Sequence, residues 1–374
     1  MNNSENPTLD QPSGDVSTRV FTSPDIKGLK IRSEALRICR LYVGENWKQL
    51  TPDDVCLTRL SGLTNYVFRV SSLKPEPKVS PLLLRIHGSV GHELVIETVT
   101  ASILAERNFG PKLYGIFPEG RLEEFVEADR LEVTDLRVPE ISSKIARNCA
   151  KFHKLSVPVM KTQWLLLQTC KEYYSLVGAL KPTDQSEIKA KEILEQLDVD
   201  KEIEFMKDQL SRSTSPVVFC HNDMQEGNIL SRVEDKQLVF IDYEYSCYNY
   251  RNFDITNHFL EWMADYEVTE PPFFTFNLNN FPTRDEQMHF LTEYFSEMGM
   301  EPGSKVIQEA TEEVISEIDL YSCYSHLFFS SWGVCVQYHS TPGSCDIPFG
   351  YLEYSSTRLK LYQKAKERLL NSQK

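Results

Sequence analysis

Two residues of opposite talents stand five positions apart in a polar loop: Asp223, a proton acceptor, and Asn228, an amide with a hard carbonyl oxygen. The apolar run Val218-Phe219-Cys220 leads into the loop, and Ile229-Leu230 leads out of it. That pattern describes a buried strand delivering polar side chains to the edge of a core. Spacing of this kind is used by phosphoryl-transfer loops, where the Asp accepts a substrate hydroxyl proton and the Asn holds Mg²⁺. Fourteen residues after Asn228 the device recurs. Leu238-Val239-Phe240-Ile241 ends in Asp242, placed as a metal-binding acid would be. Asp223, Asn228 and Asp242 together form a set suited to Mg²⁺ and ATP. A lone His-x-Asp loop is commonly just a turn, because Asn and Asp cap turns well; the specificity lies in strand, H-x-D-x-x-x-x-N, strand and D-x-E in succession. His221 is read as a brace for the loop rather than a base.

The segments HNDMQEGNIL (from His221) and IDYEYSCYNYRNFDITNHFLEW (from Ile241) resemble the choline/ethanolamine kinase family, closest to its choline kinase branch. The likeness runs from about Leu57 to Tyr354. It implies an α+β, protein-kinase-like fold of two lobes, an antiparallel-sheet lobe followed by a larger, mainly helical one. The activity implied is ATP-dependent phosphorylation of choline to phosphocholine, the first step of the CDP-choline route to phosphatidylcholine, with ATP and Mg²⁺ as cofactors. A homodimer in the cytoplasm is implied too.

The resemblance also distributes roles. Asp223 orients or deprotonates the choline hydroxyl, Asn228 and Asp242 hold Mg²⁺, and Gln225 orients the loop or touches phosphate. The loop Ser61-Gly62-Leu63-Thr64-Asn65 covers the ATP phosphates; its small side chains and free N–H groups suit that, although by itself it reads as a hairpin turn. Arg85 stands where kinases have a strand Lys, facing Glu97 of the following helix. The guanidinium can still clamp phosphate, bidentately. Nucleotide contacts fall between Glu124 and Arg130, with Phe125 and Val126 among them. Tyr245, Phe329, Trp332 and Tyr354 correspond to an aromatic box for a quaternary ammonium. Glu244 and Tyr266 belong to the same substrate site, and Glu261 adds Coulomb attraction. Phe329 departs from the Trp of the branch, which weakens one face of the box. An ethanolamine kinase is the nearest rival; Gln225-Glu226-Gly227 and Trp262 argue against it. A catalytically dead kinase-like binding protein is opposed by the intact Asp223, Asn228 and Asp242.

Composition sets outer bounds. The 374 residues are 41% apolar and 25% charged, ordinary for a globular protein with room for two lobes. A formal net charge of −14 repels nucleic acid and anionic membranes, so neither is expected as a partner. Nine cysteines without a C-x-x-C pair read as reduced thiols of a cytosolic protein. No apolar run approaches the ~20 residues that span a bilayer, so no membrane insertion is expected. Residues 1–26 lack the basic and apolar regions of a signal peptide and read as a disordered tail.

The elements that must position the chemistry follow. Residues 27–127 are expected to form the ATP-binding lobe and 128–374 the catalytic and choline-binding lobe. In the first, Lys27–Trp47 reads as an amphipathic helix, with strands at Val55–Leu60, Tyr66–Val70 and Leu82–Ile86, a helix from His92 to about Asn108, and further strands to Glu127. In the second, Ile141–Leu155 and Asp198–Leu210 read as helices, and Lys181–Leu197 as a charged, solvated stretch. Asp254 is expected to cap a helix Ile255–Tyr266 or to brace the catalytic loop, with the cap the preferred reading. A helix Val314–Val336 carries His326, Phe329 and Trp332, which step by three and share a face.

Overall fold

Alternation of buried and partly buried residues drives the first part of the chain into strands. The computed structural model describes residues 21, 27–60, 65–87, 93–340 and 348–373; the loop residues Ser61, Gly62, Leu63 and Thr64, and the tail apart from Phe21, lie outside it. The chain separates into two compact units. One holds the residues before 92 together with Lys112–Phe125, and the other holds His92–Pro111 and Val126 onward.

In the first unit, β1 (Val55–Leu60), β2 (Asn65–Ser72), β3 (Leu82–His87), β4 (Leu113–Phe117) and β5 (Gly120–Glu124) form an antiparallel sheet in the order β1-β2-β3-β5-β4. Phe68, Val70, Leu84, Ile86 and Leu122 pack inward against Ile31, Leu36 and Cys39 of α1 (Leu29–Tyr42). Gly120 is required where β5 meets β3: a Cβ there would stand 2.0 Å from the Arg85 carbonyl oxygen. The first helix stops earlier than its apolar spacing suggests. Gly44 takes φ +69°, a left-handed conformation that ends the helix, and Trp47 reaches the core from a short 3₁₀ turn instead.

The second unit is mainly helical: α2 (Glu93–Glu106), α3 (Pro139–His153), α4 (Leu165–Tyr174), α5 (Gln185–Glu195), α6 (Val199–Leu210), α7 (Arg251–Glu261), α8 (Arg284–Glu297), α9 (Lys305–Ser316), α10 (Ile318–His339) and α11 (Tyr351–Ser372). Three short ladders are inserted among them. β6 (Ala128–Arg130), β8 (Ile229–Arg232) and β9 (Leu238–Phe240) form one; β7 (Val217–Cys220) pairs with β10 (Cys247–Tyr250) in another. β11 (Ala264–Asp265) and β12 (Thr275–Phe276) make the third. One core cluster gathers Phe152, Phe219, Phe240, Phe259 and Trp262; a second gathers Phe253, Tyr324, Phe328, Phe329 and Tyr354. No described helix is long and apolar enough to cross a membrane.

Three expectations are corrected here. The stretch Lys181–Leu197 contains α5, capped by the Asp184 carboxylate and tucking Ala190 and Leu194 into the core; a narrow apolar stripe is easily hidden among charges. The predicted Val314–Val336 helix is two helices that meet at Glu317. Asp254 is not a cap. It lies inside α7, whose N-cap position is Tyr250, and its carboxylate points elsewhere.

Candidate active site

The carboxylate of Asp254 accepts the backbone N–H of His221 at 2.8 Å and that of Asn222 at 2.7 Å. These are the first two residues after β7, so α7 grips the loop where it leaves the strand. His153 of α3 donates from Nε2 to Asp254 Oδ2 at 3.0 Å and bonds the Tyr294 hydroxyl through Nδ1. Burial would raise the Asp254 carboxyl; the His153 bond, the nearby His153 and His221 rings and the backbone N–H hold it below its ordinary value, hence ionised.

His221 performs the bracing expected of it. Its Nδ1 accepts from the Asp223 N–H at 3.3 Å, which leaves Nε2 to donate to the Ile241 carbonyl at 3.0 Å. One neutral imidazole thus ties the Asp223 loop to the residue before Asp242. Burial lowers its proton affinity, in keeping with that neutral state. The β8–β9 register sets Ile229 opposite Phe240, and the Ile241 N–H donates to the Asn228 carbonyl at 3.0 Å. Hence Asn228 and Asp242 emerge side by side although fourteen residues separate them.

Asn228 Nδ2 donates to the Asp223 backbone carbonyl at 2.9 Å and to Asp223 Oδ2 at 2.8 Å. With its nitrogen engaged, the amide carbonyl oxygen is turned away from Asp223. Asp242 Oδ1 is buried without a hydrogen-bond partner, and its residue sits at φ +64°. A buried, unpartnered carboxylate oxygen one residue beyond the backbone bond to Asn228 fits a hard cation such as Mg²⁺. Gln225 Oε1 caps the short turn Glu226–Asn228 by accepting the Gly227 N–H at 2.9 Å. Burial, then the charges of Glu261, Asp242 and Glu244, push Asp223 well above the usual carboxylate range. The negative charge that Asp223 feels would be relieved by a bound cation.

Glu261 and the rings form the other half. Trp332 meets Tyr354 edge-on at 5.6 Å, and Tyr266 lies 6.3 Å from Tyr354. Tyr245 packs edge-on against Phe328, which in turn meets Phe329 at 5.1 Å. The Tyr266 hydroxyl donates to Glu261 Oε2 at 2.8 Å, because α7 ends at Glu261 and the chain turns back. Glu261 is not a solitary acid: Arg358 of α11 forms an ion pair with its Oε1. The Arg358 guanidinium also lies 5.1 Å from the Phe329 and Tyr354 ring centres. One face of Phe329 and one of Tyr354 are therefore already taken by a cation. Arg358 went unread in the sequence, although its spacing of four from Tyr354 between apolar positions marks it as an inward-facing helical residue.

The remaining expected residues are distributed as follows. In the first unit, Arg85 on β3 has its Nε buried without a hydrogen-bond partner, 3.9 Å from Glu123 Oε2. Asn65 begins β2, Glu124 ends β5, and Phe125 receives the Arg69 guanidinium at 4.9 Å. In the second unit, Glu97 lies on α2 and Val126 is buried. Arg130 ends β6 opposite Leu230, which ties this connector to the strand leaving the Asp223 loop.

The family model for choline/ethanolamine kinase matches residues 57–363. A mouse choline/ethanolamine kinase is 38% identical over 353 residues, covering 90% of this chain and 87% of the relative. Mouse choline kinase alpha is 35% identical, covering 91% and 82%. The crystal structure of a choline kinase from Cryptosporidium parvum superposes with a TM-score of 0.71 at 25% identity, covering 90% of this chain and 96% of that one. The fold is that of the protein-kinase-like phosphotransferases, and the chain belongs to the choline/ethanolamine kinase family.

Proposed function

We propose that this kinase transfers the γ-phosphoryl group of ATP to the hydroxyl of choline, giving phosphocholine and ADP. The observation that carries the reading is the position of Asp223. Its carboxylate is bonded to Asn228 and feels the charge of Glu261, which pairs with Tyr266 and Arg358 among the rings. Asp223 accepts the hydroxyl proton of the substrate. Asn228 and Asp242 would hold Mg²⁺, which when bound supplies positive charge for the phosphates. His221 and Asp254 keep the loop rigid, so that little reorganisation is needed when substrate arrives. Tyr245, Trp332, Tyr354 and Tyr266 offer π-faces to a cation that has no N–H to donate. Glu244 adds negative charge to the same site.

The nucleotide side is part of the same proposal. In this reading phosphate handling falls to Ser61-Gly62-Leu63-Thr64-Asn65, Arg85 and Glu97, adenine contacts to Glu124, Phe125, Val126 and Arg130, and the steadying of the Asp223 loop to Gln225. The homodimer and the cytoplasmic setting implied by the resemblance belong here as well. Ethanolamine is the competing acceptor, since the family carries both names. Turnover of choline and ethanolamine with ATP and Mg²⁺, at matched concentrations, tests the reading: choline is the better substrate, and a higher kcat/KM for ethanolamine would replace choline in it.

A further inference from the structure

Arg358 is fully buried, and each of its nitrogens has work. Nε donates to the Tyr354 hydroxyl at 2.9 Å, Nη1 bonds His326 Nδ1 at 3.2 Å, and Nη2 pairs with Glu261 Oε1 while lying 3.4 Å from the Tyr266 hydroxyl. Its plane is flanked by rings, with Phe276 at 4.9 Å and Phe329 and Tyr354 at 5.1 Å. Burying such a pair is a poor way to gain stability, because hydrophobic residues of similar volume commonly do as well or better. The arrangement has a different consequence. Both oxygens of Glu261 are committed, Oε1 to Arg358 and Oε2 to the Tyr266 hydroxyl.

From this we infer that Arg358 is a specificity-determining positioning residue, which sets the choice between a quaternary and a primary ammonium by occupying Glu261. The inference rests on the proposed acceptor site. A primary ammonium must replace its water with hydrogen-bond acceptors or lose free energy on entry. Glu261 would be a strong acceptor near the rings, and the Arg358 ion pair offsets its charge and takes one of its acceptor sites. A quaternary ammonium needs no acceptor, so it loses no hydrogen bond by that pairing and still feels the π-faces. Phe329 fits the same picture. One face of its ring already serves the arginine.

The test compares kcat/KM for choline and ethanolamine in wild type, Arg358→Gln, Arg358→Lys and Tyr266→Phe. Arg358→Gln frees a Glu261 oxygen, and the choline-to-ethanolamine ratio falls about tenfold or more, the scale of one charge-assisted hydrogen bond. Arg358→Lys keeps the charge and holds the ratio within about threefold of wild type. The ATP KM stays unchanged in both. Tyr266→Phe frees the other oxygen without burying an unpaired charge, and lowers the ratio by about threefold; it decides the matter if Arg358→Gln fails to fold. An Arg358→Gln ratio within twofold of wild type, or an equal rise in KM for both acceptors, would mean that the arginine is merely structural and would overturn the inference while leaving choline phosphorylation in place. Wild type that turns over neither amine removes the acceptor-site reading, and the inference with it.

Discussion

Asn228 Nδ2 and Asp223 Oδ2 are joined at 2.8 Å, so the two polar residues of the loop are locked side chain to side chain. The lock separates two explanations of any Asp223 defect. Asp223→Asn keeps an oxygen for Asn228 and so keeps the loop shape, but it has no carboxylate to take a proton. Both Asp223→Ala and Asp223→Asn should lower kcat by ~10²-fold or more, with the ATP KM little changed. An Asp223→Asn enzyme within a few-fold of wild type would show that Asp223 holds shape and moves no proton.

Asp242→Asn should raise the Mg²⁺ concentration needed for half-maximal activity and weaken nucleotide binding. The buried Oδ1 has no protein partner to lose, so stability should change little. Titrating activity against Mg²⁺ decides it; an unshifted curve excludes Asp242 as a ligand.

Trp332→Ala should raise the choline KM by about tenfold, equivalent to 1–2 kcal/mol of lost cation–π attraction in a desolvated site. Its ATP KM should stay near the wild-type value. An unchanged choline KM would discard the aromatic site.

Asp254→Asn replaces one of two acceptor oxygens by a donor that faces a backbone N–H. The cost should be about 2–4 kcal/mol in unfolding free energy, together with a drop in kcat from the loosened loop. Thermal unfolding and steady-state kinetics on the same preparation give both numbers, and wild-type behaviour in both would refute the grip of α7 on the loop.

His258 supplies a pH dependence. Burial drives its pKa down to about 4, with Nδ1 donating to the Met224 carbonyl at 2.8 Å and Nε2 accepting from Trp262. The folded state therefore binds fewer protons than the unfolded chain below the ordinary value of about 6.5. Stability is complete above that pH and is lost as pH falls toward about 4, by up to ~3 kcal/mol from this group. His258→Gln can keep both hydrogen bonds, so its unfolding temperature should fall less steeply between pH 7 and 4.5 than that of wild type. Parallel slopes would assign the acid lability elsewhere.

The sequence carried much of this because the loop residues come in fixed local spacings. Asp223, Asn228 and Asp242 could be read in advance since their separation follows from one strand, one turn and one hairpin. Arg358 could not, and the brace from Asp254 stands only as the second reading beside a helix cap. Each acts on residues more than thirty positions away: helical spacing can turn Arg358 inward, but no local pattern names Glu261 as its partner or tells a helical acid from a cap. The α5 stripe was hidden for another reason: Ala190 and Leu194 are two apolar residues among many charges. The expected helix runs on to Trp47, because Gly44 ends the observed one by its backbone rather than by its pattern.

Asn222 and Asp242 share a left-handed backbone, φ +67° and +64°, one in each of the two loops that His221 ties together. That shared geometry alters how mutagenesis of this enzyme should be scored. Alanine at either position deletes a side chain and also penalises the backbone, by about 1 kcal/mol or more, so the two losses arrive as a single number. Glycine accepts the conformation freely and isolates the side chain's share. The difference between the alanine and glycine variants at one position then measures how tightly each loop is held in its turn.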